Sequence, residues 1–272
     1  MKIVHLTWST RGRKTAFLSE EARRSALRAL GEVAAGAVLL FSLVDDHVHV
    51  VLMAEPERIR RLQAGITRVF NFRASARFTP PFVREVESRT HLLTLVRYCL
   101  TQFEHHGLAE SACTATGSCF PDLVGARRVP GLELALRRAL PRFQLREAYA
   151  AVGLAAELVP ASDAALRGLG ARGLAEVVAA TFALGPGLEG NQPGPRLARR
   201  VVAQLASRAG IARAEVAATL GITLTAVARL AARPVPEADL RAACLHATLT
   251  AAEGAPPARA PVRLAELAAA AP

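Results

Sequence analysis

The sequence predicts an α+β fold, an antiparallel sheet with helices packed on it, followed by an all-α region. Three observations predict it. Over the first 120 residues, short segments rich in β-branched and aromatic residues alternate with amphipathic helical ones. Beyond about Pro121 only helical periodicity remains, interrupted by Pro141 and Pro160. Finally, 51% of the 272 residues are apolar, enough for a sizeable core and too many for a disordered chain.

The elements follow in order. Residues 2–10 read as a strand that ends at a Gly and charge cluster. Ser19 has the character of an N-cap, with Glu20 and Glu21 in the first turn of a helix running to about Ala35. Two apolar runs, 37–44 and 47–54, are separated by Asp45 and Asp46, the signature of a tight hairpin. A second helix is expected from Glu57 to about Arg77, stopped before Pro80 and Pro81. Residues 82–87 form a short strand candidate, and His91 to His106 a third helix ended by Gly107. The order β-α-β-β-α-β-α is close to a ferredoxin-like layout.

Downstream, helical periodicity covers 132–140, 142–154 and 161–184. The expected organisation is a first domain over 1–120, a helical connector over 121–184 and a Gly/Pro linker over 185–195. A compact helical segment over 196–250 and an Ala/Pro-rich tail over 251–272 complete it.

Lys plus Arg exceed Asp plus Glu by 34 − 23 = 11, which favours a polyanionic partner such as nucleic acid. No apolar run reaches the ~18 residues of a membrane helix. The first residues lack the pattern of a signal peptide, so the expectation is a soluble, cytoplasmic protein without a membrane partner. Cys99, Cys113, Cys119 and Cys244 show no CxxC spacing, and reduced, buried thiols are expected.

The chemistry concentrates in Asp45-Asp46-His47-Val48-His49. On a strand, His47 and His49 point to the same face, about 7 Å apart, and can close on one metal ion. An acid just upstream can orient an imidazole through its second nitrogen. In the third helix Tyr98 and Gln102 stand one turn apart on one face. Alone, that pair reads as a half-buried core aromatic and a solvated amide. Beside an HxH strand, the amide oxygen can complete a metal site and the phenol can be aimed at a phosphate.

His47-Val48-His49 resembles the HUH motif, and Tyr98 with Gln102 resembles the nucleophile and third metal ligand of the one-tyrosine HUH transposases. The opening His5-Leu6-Thr7-Trp8-Ser9-Thr10-Arg11-Gly12-Arg13 is similar to the first strand and basic turn of the REP-associated tyrosine transposases. The resemblance covers residues 1–120, and Gln102-Phe103 stands where that subgroup usually carries Asn-Pro. It implies an HUH nuclease-like fold and a transposase-like endonuclease and strand transferase acting on single-stranded DNA with hairpins. Tyr98 would be the nucleophile, with a 5′-phosphotyrosine intermediate, and His47, His49 and Gln102 the ligands of a divalent ion. Two imidazoles and an amide suit Mn²⁺, or Mg²⁺ helped by water and substrate phosphate. A tyrosine with pKa about 10 is only ~0.1% phenolate at pH 7, a handicap of about 4 kcal/mol that such an ion offsets in part.

Arg11, Arg13 and Lys14 form a basic turn, and Arg58, Arg61, Arg68, Arg73 and Arg77 decorate the second helix as phosphate contacts or as a solvated face. Between Arg213 and Arg233, Ala217, Gly221 and Val227 occupy the small, turn and buried positions of a helix-turn-helix. Thr223 is the N-cap of its second helix, and Thr225, Arg229 and Arg233 are available for flanking duplex DNA. An Ala-rich helical hairpin without a DNA role has the same pattern. The competing function is a non-catalytic DNA-binding regulator that keeps the scaffold. The expected assembly is a monomer or homodimer.

Overall fold

The computed structural model describes residues 1–154 and 157–253. It is an α+β structure in which a four-stranded antiparallel sheet with packed helices precedes a helical C-terminal part. Strands β1 (Lys2–Ser9), β2 (Val38–Leu43), β3 (His47–Ala54) and β4 (Phe82–Glu85) lie in the order β2-β3-β1-β4. Helix α1 (Glu20–Ala34) connects β1 to β2, and α2 (Pro56–Arg73) connects β3 to β4. The Ser19 side chain accepts a hydrogen bond from the Ala22 amide, the N-cap expected from sequence.

Alternation gives the sheet two different faces. Val4, Leu6 and Trp8 are buried, and the Trp8 indole donates to Thr67 Oγ1 of α2 at 2.8 Å. The opposite face carries His5 and Thr7 of β1 beside His47 and His49 of β3, with Thr7 paired to His49 in the register. Helix α3 (Arg89–His105), capped by Ser88, covers this second face.

Two expectations of helix length are corrected. The second helix ends at Arg73, not Arg77, because the chain turns to pair elsewhere. The Ser75 amide donates to Ala16 O, the Phe78 amide to Asn71 Oδ1, and Arg77 O accepts from the Arg11 amide. Over 132–154, helix survives only as α5 (Leu136–Ala139) and α6 (Leu145–Ala151), after the short α4 (Phe120–Leu123). Here the Ala135 amide donates to Val38 O at 2.8 Å, so pairing with β2 replaces a helical bond.

Helix α7 (Asp163–Thr181) is broken at Gly170, whose φ of 66° is left-handed. The Ala171 amide that follows donates to Glu215 Oε1 at 2.6 Å. Glu215 lies on α9 (Arg213–Leu220), which stands between α8 (Pro193–Ala209) and α10 (Leu224–Ala231). Residues 185–195, expected as a linker, are held by Arg199, which donates to Leu188 O and Gly190 O at 2.9 Å.

There are two main cores. One gathers the sheet, α1–α3 and the segment through Tyr149. The other gathers α7–α10, so α7 shares its core with the helices beyond the linker. Helix α11 (Glu237–Glu253) enters both, giving Leu245 and Leu249 to the first and Ala243 and Ala247 to the second. It is tied down by Arg128–Asp239 at 3.1 Å, by His246 Nδ1 donating to Ala126 O at 3.1 Å, and by Thr114 donating to Glu253 at 2.6 Å. Most of the expected tail, 254–272, lies outside the described residues. All four cysteines are free and buried. Among the described residues no single helix is long and apolar enough to cross a membrane.

Candidate active site

Strand β3 places His47 and His49 on the face covered by α3, with their ring centroids 4.8 Å apart. Both imidazoles are buried, as is Gln102. On α3, Gln102 Nε2 donates to the Tyr98 carbonyl at 3.2 Å, which turns its Oε1 toward His47 Nε2, also at 3.2 Å. The Tyr98 hydroxyl lies 3.4 Å from His49 Nε2. The four residues singled out from two separate motifs thus converge on one point. Tyr98 is 41% exposed, so its ring is open to a ligand from solvent.

Each imidazole is oriented by its second nitrogen. Asp46 Oδ1 lies 2.6 Å from His47 Nδ1 and accepts its proton, the arrangement that leaves Nε2 a lone pair. Arg13 donates to the other Asp46 oxygen at 3.1 Å. Burial pushes the Asp46 carboxyl up, but the bonds and charges of His47 and Arg13 outweigh it and hold the group below its ordinary range. At His49 the roles of orienter fall to Thr7 Oγ1, 3.2 Å from Nδ1, and His5 Nε2, 3.1 Å from it.

Burial, then the neighbouring His47, His5 and His106, lowers the His49 pKa to about 3. Burial, then the charges of His91 and Arg84, lowers that of His5 to about 4. Both rings are therefore neutral at pH 7, the form that ligates metal. Burial, followed by Cys99, raises the Tyr98 phenol above its usual value despite the opposing bond to Gln102, so the hydroxyl is held protonated.

The donor set fits a divalent cation. In the tautomer that gives its Nδ1 proton to Asp46, His47 turns an Nε2 lone pair toward Gln102 Oε1, itself only an acceptor. Two facing acceptors 3.2 Å apart need a proton or a cation between them. An overlapping group, Asp46, His47 and His106, could also hold a metal ion, its ligand atoms lying within 4.8 Å of one another. His106 is the residue just past α3, with its ring 4.6 Å from that of His47. A cation bound there through Asp46 would compete with the 2.6 Å bond that orients His47, whereas the Nε2 side keeps that bond intact.

The other expected contacts divide. Arg11, Arg13 and Lys14 are exposed around the turn after β1, and Arg13 reaches the site through Asp46. Arg68 and Arg73 are exposed on α2, which packs on the Trp8 face, so the sheet separates them from the histidines. Far along the chain, α9 and α10 meet at 103° across Gly221, which is left-handed at φ 62°. Thr223 caps α10, accepting from the Ala226 amide, and Val227 and Ala217 are buried as expected. Thr225, Arg229 and Arg233 are exposed.

His5 is not among the site residues the sequence points to, and His106 enters that reading only with His105, as a weak alternative ligand pair. The signal for His5 was its alternation with Thr7 on a strand of the same sheet. His106 offered only its place after the helix carrying Tyr98 and Gln102. Comparison with family models, curated proteins and solved structures finds no match to this chain.

Proposed function

We propose that this protein is a metal-dependent single-strand DNA endonuclease and strand transferase of the one-tyrosine HUH type, with Tyr98 as nucleophile. The observation that carries the reading is the convergence of Tyr98 on His49 and of Gln102 on His47, from a strand and a helix far apart in sequence. The strand order β2-β3-β1-β4, with helices crossing between β1 and β2 and between β3 and β4, supports a ferredoxin-like scaffold for it.

In this reading His47, His49 and Gln102 hold a divalent cation, Mn²⁺ or Mg²⁺, which when bound neutralises charge on the scissile phosphate and orients it. Asp46 fixes His47 by taking its Nδ1 proton, and Thr7 with His5 fixes His49. Tyr98 Oη attacks phosphorus and a Tyr–O–P bond forms as the P–O3′ bond breaks. The phenol's proton passes, overall, to the departing oxygen, which becomes a free 3′-OH. Because phenolate is a better leaving group than an alkoxide, a 3′-OH can later attack the tyrosyl ester and return Tyr98. Arg11, Arg13 and Lys14 contact the strand, and α10, through Thr225, Arg229 and Arg233, grips flanking duplex.

A second reading, a DNA-binding regulator without catalysis, is favoured by the 103° pair α9–α10, which needs no chemistry to act. One experiment separates the two. Purified protein is mixed with labelled hairpin-flanked single strands and Mn²⁺ or Mg²⁺, then run on a denaturing gel. A covalent adduct that disappears in Tyr98→Phe and in His47→Ala/His49→Ala is expected. Tight binding without an adduct would leave the regulator.

A further inference from the structure

Strand β4 is short, lies at the edge of the sheet and is exposed along its whole length. In its register with β1, Phe82 pairs with Thr7 and Arg84 with His5. Strand alternation therefore puts both side chains on the face that carries His5, Thr7, His49 and Tyr98. The intervening Val83 and the following Glu85 point to the other face, where Glu85 accepts from Lys2 Nζ at 2.9 Å. The acid next to Arg84 is thus turned away and neutralised.

Phe82 is 70% exposed, a large aromatic that the core does not use. Beside it Arg84 is exposed and carries a fixed positive charge. An exposed ring next to an arginine on a sheet suits an unpaired nucleotide. Every base has a π-face to stack, and the strand's phosphates supply the countercharge. Stacking of this kind tolerates any base, while the guanidinium holds the backbone in place.

We infer that Phe82 and Arg84 form a nucleotide platform beside Tyr98, Phe82 stacking an unpaired base of single-stranded DNA and Arg84 taking a phosphate of the same strand. The inference rests on the nuclease reading for its choice of ligand. It assigns to β4 the task of presenting the strand to the phenol. A second copy of this chain adding to the β4 edge is the rival occupant of the same surface.

The test is binding of labelled oligodeoxythymidine to the full chain carrying Tyr98→Phe, followed by fluorescence anisotropy over a range of salt. Phe82→Ala is expected to weaken binding roughly tenfold with an unchanged salt slope, and Phe82→Trp to restore it. Arg84→Ala is expected to reduce the slope of log K against log salt by about 0.7, one single-strand phosphate contact. A Phe82→Ala protein that binds within about twofold of its parent overturns the platform, as does a parent that binds no single strand. So does sedimentation showing that Phe82→Ala dissociates a dimer. The two readings fail separately. Phe82-dependent binding without a Tyr98 adduct keeps the platform and removes the nuclease, and an adduct with Phe82-independent binding does the reverse.

Discussion

Gln102 Oε1 lies 3.2 Å from His47 Nε2 although 55 residues separate the two in sequence. In the tautomer whose proton sits on Nδ1 against Asp46, both atoms are acceptors, a pair that a cation, or a proton on Nε2, would join. Mn²⁺ binding, followed by calorimetry, is expected to be lost in Gln102→Leu. Asp46→Asn, which weakens the orientation of His47 without removing a ligand, should cost roughly 10–100-fold in affinity. Unchanged binding in both would remove the cation from this position.

The pair α9–α10 turns on Gly221. A Cβ there meets nothing within 4 Å, so Gly221→Ala strains only the left-handed backbone. A loss of about 1 kcal/mol in urea unfolding is expected, with no change in the site around Tyr98. Arg229→Ala, exposed on α10, should leave stability unchanged and lower the salt slope of duplex binding by about one. A duplex affinity indifferent to Arg229 and Arg233 would make the pair a purely structural hairpin.

His246 makes stability depend on pH. Burial above all, with Arg127 nearby, lowers its pKa from 6.5 to about 4, and its Nδ1 donates to Ala126 O. Below pH 6.5 the unfolded chain takes up a proton that the folded chain refuses until about pH 4. The stabilisation is therefore complete above 6.5 and lost as pH falls toward 4, a change on the order of 3 kcal/mol. Urea midpoints measured at pH 7 and pH 5 should fall with pH. In His246→Gln the fall should be shallower, since the lowered values of His5, His49 and His106 then remain to produce it.

What the sequence made readable was whatever depends on short periods. His47 and His49 share a face because a strand alternates, and Tyr98 and Gln102 share one because a helix turns. Ser19, Thr223 and Gly221 could be placed because capping and left-handed turns are local chemistry. The parts that escaped depend on partners distant in the chain. His5 joins the site only once β1 pairs with β3, and the Thr7–His49 register cannot be read from either strand alone. The helix expected over 132–140 gives way because Ala135 finds Val38 O, a tertiary bond no local pattern announces. Arg68 looked equivalent to Arg13 as a basic residue, yet α2 and the β1 turn end on different sides of one sheet.

Helix α11 lends Leu245 and Leu249 to a core whose other members end near Leu158, apart from Ala183. In synthesis from the N-terminus, the residues of the sheet therefore emerge well before the two leucines that complete their core. At ~5–20 residues per second, the wait for α11 lasts on the order of ten seconds. During that interval the core of the sheet half lacks two of its side chains, and among the described residues α11 is the last element that either core receives.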